Sequence, residues 1–146
     1  MTWIYDDGGR AEAGRKGMAG DCASRAIAIA VGISYAEACA LVNDAGRAER
    51  KSKRKRSKST ASSGVYGPTM RKVMRGIGWH WTPTMQIGQG CKVHVKASEL
   101  PAGRLILAVS KHYVAMVDGV LRDTHDCSRD GTRCVYGYWR AQQEAK

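Results

Sequence analysis

The order of elements along the chain predicts an α+β fold, with N-terminal helices packed on a C-terminal antiparallel β-sheet. Three observations carry this. The stretch DCASRAIAIAVG at 21–32 is apolar nearly all round, as a buried central helix is. Ser34 followed three residues later by Glu37 is a capping box that opens a second helix. Asp118-Gly119 sits between two apolar runs, the mark of a two-residue hairpin turn. The 146 residues suit a single domain over 1–146. With 43% apolar and 25% charged residues, wholesale disorder is excluded.

Residues 1–20 are Gly-rich, with a short strand at Thr2–Tyr5 and no apolar signal-peptide core. Asp21 suits the cap of the first helix, and Gly32 can end it in the left-handed conformation. Cys22 then opens the central helix. The second helix turns Ala38, Leu41 and Val42 inward and stops at Gly46. Gly67-Pro68 begins a third helix, because proline is tolerated in a first turn whose N–H groups have no intrahelical acceptor. Its stripe is Met70, Val73, Met74 and Ile77. Strands are expected at Trp79–Trp81, Lys92–Lys96, Leu105–Ser110, Lys111–Val117, Val120–Thr124 and Arg133–Arg140. Alternation puts Trp79 and Trp81 on one face, as core, and His80 on the other.

The net charge of +11 is local. Segment 47–58, RAERKSKRKRSK, holds eight basic side chains and one acid, a net of +7, which leaves +4 elsewhere. With the STASSG that follows, residues 47–64 read as a basic, flexible insertion loop. Such a tract contacts phosphates or acidic proteins non-specifically; it lacks the aromatic residues that stack on bases. Five cysteines is an odd count, which argues for reduced thiols in a cytoplasm. No apolar run nears the ~20 residues of a membrane span, so no membrane partner is expected.

The hairpin permits a geometric argument. If Asp118-Gly119 is the turn, Val117 pairs with Val120 and Met116 with Leu121. His112, Val114 and Met116 then share a face with Leu121, Asp123 and His125. His112 and Asp123 are diagonal neighbours, about 7–8 Å apart at Cα. A carboxylate beside an imidazole orients the ring and stabilises the imidazolium. A thiol against that imidazole becomes a thiolate. Cys22 also meets the positive end of its helix dipole, while the charge of Asp21 next door pushes the other way. His125 reads as a rim or structural residue, or as the base if the register slips. His125, Cys127 and Cys134, with Cys91 or His94, do not make a standard zinc spacing, so no metal and no cofactor is predicted. Cys39 falls on the core face of the second helix.

The Cys at the head of a buried helix (GDCASRAIAIAVG) and the His opening a strand in SKHYVAMVDGVLRDTHD resemble the papain-like cysteine peptidase superfamily. The likeness covers about Asp21 to Trp139, and its nearest flavour is the small bacterial and phage members, such as bacteriocin-leader-processing peptidase domains. The resemblance implies a papain-like fold and a cytoplasmic bacterial or phage-encoded thiol protease or amidase. It implies Cys22 as nucleophile, His112 as general base and Asp123 as the orienting third residue, with a peptide or protein substrate. The chain departs from the family pattern in two respects: its only asparagine is Asn43, mid-helix, so Asp123 stands where papain has Asn, and its four glutamines, Gln86, Gln89, Gln142 and Gln143, all follow Cys22. The Cys22 backbone N–H is then the oxyanion donor that remains. Two other readings stand beside this one: an inactive papain-like fold used for interaction, and a basic binding module working through 47–58.

Overall fold

The computed structural model describes residues 2–14, 20–49, 58–62, 64–86 and 88–141. It is α+β, with three helices on one side of a six-stranded mixed sheet. In chain order the elements are β1 (Trp3–Tyr5), α1 (Cys22–Ile27, running on as a π-helical turn, Ala28–Gly32), α2 (Tyr35–Arg47), α3 (Gly67–Gly76), β2 (Trp79–Pro83), β3 (Arg104–Val109), β4 (His112–Val117), β5 (Val120–Asp123) and β6 (Gly137–Ala141). No helix among the described residues is long and apolar enough to cross a membrane.

The helix signals act as expected, with two corrections. Ser34 Oγ accepts the Glu37 N–H at 3.0 Å, and Gly32 closes the α1 segment at φ +81°. Asp21, however, makes no side-chain cap. Its carboxylate goes instead to two arginines and a tyrosine. Gly46 does not stop α2 but lies inside it, where a Cβ would stand 1.9 Å from the Ser59 carbonyl oxygen. Only glycine lets the returning chain come this close to the helix. The end of the expected flexible loop is therefore fixed: Ser59 and Ala61 are buried, and Ala61 N–H donates to Asn43 Oδ1 at 2.8 Å. Most of the basic tract, residues 50–57, lies outside the described residues.

The sheet order is β1-β5-β4-β3-β6-β2. β3, β4 and β5 form the expected meander, with Val117 opposite Val120 and Met116 opposite Leu121. Asp118 and Gly119 both have positive φ, as a tight primed turn requires. The rest of the sheet is not a meander. β1 runs parallel to β5, and β6 inserts between β3 and β2. The expected strand at 92–96 shrinks to one bridge, His94 opposite Cys134. It borrows the start of the expected last strand, Val95 N–H donating to Arg133 O and Val135 N–H to Val93 O.

Period-two alternation sends the two sides of each strand into two cores. Ile106, Ala108, Ala115 and Trp139 share one with Ile27, Ala38, Val42, Met70 and Met74 of the helices. Leu105, Leu107, Val114, Met116 and Leu121 share the other with Val95, Cys127 and Val135 of the loops. Those loops carry a disulfide, Cys91–Cys134, which corrects the expectation that all thiols are reduced. The 93–95 and 133–135 pairing brings the two Cα atoms to 5.8 Å, within ordinary disulfide span. Cys22, Cys39 and Cys127 are free.

Candidate active site

The hairpin turn fixes the strand register, and the register delivers the first pair. At its open end, His112 Nε2 lies 2.6 Å from Asp123 Oδ2. Asp123 is 4% exposed, and its second oxygen is also occupied. Oδ1 accepts the Thr124 N–H at 2.7 Å and meets Arg25 Nη1 at 3.0 Å. The backbone of Asp123 is clamped by the N-terminal strand, its carbonyl accepting from Trp3 Nε1 and Asp6 N–H, each at 3.0 Å.

Nδ1 is the ring nitrogen that Asp123 leaves to other partners. The Cys22 thiol, at the first position of α1, lines the same cleft as His112 and Tyr113, and the His112 ring and the Tyr113 backbone N–H both act on it. Burial pushes this thiol up, but the hydrogen bond and positive charge of His112, the Tyr113 N–H and the charge of Arg25 outweigh it, and its pKa falls below the usual thiol value. For His112, burial favours the neutral ring. The bonds to Asp123, Cys127 and Cys22 win, and the pKa is pushed up to about 11. Asp123 follows the same logic: burial raises it, His112, Thr124 N–H and Arg25 lower it, and the net is below the usual carboxylate value. The shifts thus favour the charged form of each of the three groups: thiolate, imidazolium and carboxylate.

Behind Cys22, His112 and Asp123 runs a line of buried charge. Arg25 Nε stands 3.0 Å from Asp21 Oδ1, whose Oδ2 meets Arg10 Nε at 3.1 Å and accepts from Tyr35 Oη at 2.7 Å. The sequence reading missed this relay. Its signal was available: Arg25 is a charge in the middle of an otherwise apolar helix, at i+4 from Asp21. Sharing Asp21 with Arg25, Arg10 and Tyr35 takes its charge away from the Cys22 sulfur. Cys127 was also missed as a neighbour of the imidazole; it is buried and helps to raise the pKa of the same ring.

The dyad opens on a cleft of about 360 Å³. Trp81 forms part of its wall rather than only core, its ring tilted at 45° to that of Trp139 with 4.3 Å between centroids. This position depends on Gly137, where a Cβ would stand 2.2 Å from the Trp81 ring. His125 is exposed at the rim, its ring 5.4 Å from that of His112. His112, Asp123 and His125 bring ligand-type atoms within 4.8 Å of one another. They suit a metal poorly, because His112 Nε2 is bonded directly to Asp123 and the other Asp123 oxygen faces a guanidinium. Cys134 is in the disulfide, and Cys39 is buried in the helix-side core.

No protein-family model matches this chain, and no curated protein or solved structure matches it either.

Proposed function

We propose that the protein is a papain-like cysteine hydrolase that cleaves a peptide or another amide through Cys22, His112 and Asp123. The observation that carries this is a half-buried His112 ring with Asp123 Oδ2 at 2.6 Å on Nε2 and the Cys22 thiol on the same cleft wall, within electrostatic reach of the ring. A structural histidine needs neither a buried carboxylate nor a reactive-type thiol, and perturbed groups meeting at a cleft point to chemistry.

The steps follow from the charges. The Cys22 thiolate forms a bond to the acyl carbon, and the carbonyl electron pair moves to oxygen. The Cys22 N–H, in the first turn of α1 where helix N–H groups lack an intrahelical acceptor, faces that oxygen. The oxyanion collapses, the carbon–nitrogen bond breaks, and the leaving amine takes the proton from His112. The neutral ring then accepts a proton from water as the water oxygen attacks the thioester. The thiolate leaves, the acid departs, and the imidazolium is restored. Asp123 keeps the ring oriented throughout and holds its positive charge.

The test is chemical. p-Nitrophenyl acetate should acetylate Cys22 ahead of Cys39 and Cys127 in peptide mapping by mass spectrometry, and iodoacetamide should label in the same order. Cys22→Ala should abolish the fast phase of both. Slow labelling of Cys22, no faster than Cys39, overturns the proposal.

A further inference from the structure

The cleft in front of Cys22 has a charge character that the triad does not use. Its walls are aromatic, with Trp81 and Tyr136 accessible and Trp139 behind them. It carries two cations, Arg71 from α3 and Lys111 from the turn before His112, and no acid lines it among the described residues. Both cations are exposed, and neither makes an ion pair among the described residues. Arg71 acts on the Tyr113 hydroxyl across the cleft, opposing the rise that burial and Cys22 impose on it. These two side chains are separate from the basic tract, so their placement is a property of the fold.

Resting on the hydrolase reading, the geometry points to an acidic peptide as substrate: a segment that lays an aromatic or other apolar side chain on Trp81 and Tyr136 and sets a carboxylate between Arg71 and Lys111. One sign of charge in a cleft with low-dielectric walls concentrates the field on an incoming anion. A substrate carboxylate that loses water on entry must find a partner, and these cations supply it. A lysine in the same place is repelled and stays solvated outside. The indole and phenol faces prefer flat apolar groups, which stack offset or edge-on.

Two matched probes test this on the full chain: acetyl-Asp-Tyr and acetyl-Lys-Tyr chloromethyl ketones. Each alkylates a thiolate, sulfur bonding to the methylene carbon as chloride leaves. The second-order rate at Cys22 is read by mass spectrometry. The acidic probe should react about tenfold faster at low ionic strength, and the ratio should shrink toward one at about 1 M salt, where the Debye length is ~3 Å. Arg71→Glu with Lys111→Glu should reverse the order. The salt series needs no variant, so it stands even if the double variant folds poorly. An acetyl-Asp-Ala probe should lag the acetyl-Asp-Tyr one, and Trp81→Ala should narrow that gap. Rapid iodoacetamide labelling of Cys22 with equal rates for the Asp and Lys probes overturns the acidic-peptide assignment alone. Slow iodoacetamide labelling of Cys22 overturns the hydrolase reading, and this assignment with it.

Discussion

Arg25 Nη1 stands 3.0 Å from Asp123 Oδ1 while Nε of the same side chain stands 3.0 Å from Asp21 Oδ1. One buried arginine thus ties the start of the helix that carries Cys22 to the strand end that carries Asp123. It makes the position of the thiol relative to the imidazole a consequence of a salt-bridge chain rather than of loop packing.

Breaking that chain should be costly. Arg25→Met keeps the apolar stem but takes from two buried carboxylates, Asp21 and Asp123, the cation they share. A loss of about 3–5 kcal/mol is expected at neutral pH, the range for removing one partner of a buried pair. The loss should shrink in acid, as pH falls below the depressed pKa of Asp123 and its carboxylate takes up a proton. Urea unfolding at neutral and at acid pH measures it.

The charge states give a pH dependence of stability. The His112 pKa rises from 6.5 unfolded to about 11 folded. Its contribution is therefore complete below 6.5 and is lost as pH climbs through about 11. Asp123 is depressed from 3.8, so its contribution is present above that value and is lost as pH falls through the lower folded value. Thermal melts from neutral to alkaline pH should show a falling melting temperature in the wild type, and His112→Gln should flatten that slope.

Two glycines are positions where one carbon should matter. Gly137→Ala puts a Cβ 2.2 Å from the Trp81 ring, and Gly46→Ala puts one 1.9 Å from the Ser59 carbonyl. Overpacking of this kind costs about 1–3 kcal/mol. Gly137→Ala should also alter tryptophan fluorescence, because the indole must leave the cleft wall. Gly76→Ala, with nothing within 4 Å of its Cβ, should be tolerated.

Reduction tests the loop layer. The Cys91–Cys134 bond closes 43 residues of sequence. In the chain-entropy account this is worth about 4 kcal/mol. Dithiothreitol, or Cys91→Ser with Cys134→Ser, should lower the urea midpoint by a corresponding amount.

The hairpin was legible because its information is local. Asp118-Gly119 fixes the turn, the turn fixes the register, and period two then places His112 and Asp123 together. The cysteine at the head of α1 was legible for the same reason. The parallel pairing of β1 with β5 and the insertion of β6 beside β3 were not, since strand order depends on contacts between distant segments and leaves no trace in alternation. The cap assigned to Asp21 failed because a buried arginine outcompeted the helix N–H groups for its oxygens. The Cys91–Cys134 bond needed the 93–95 and 133–135 segments to pair, and although each reads as part of a strand, alternation does not say which strands are neighbours.

The central claim is that Cys22 is a thiolate held by His112, and ultraviolet titration of thiolate absorbance tests it most directly. The wild type should show a thiolate step below the ordinary thiol value of ~8.5. That step should vanish in Cys22→Ser and move upward in His112→Ala. A wild type whose thiols ionise only at or above the ordinary value, unchanged by His112→Ala, would contradict it.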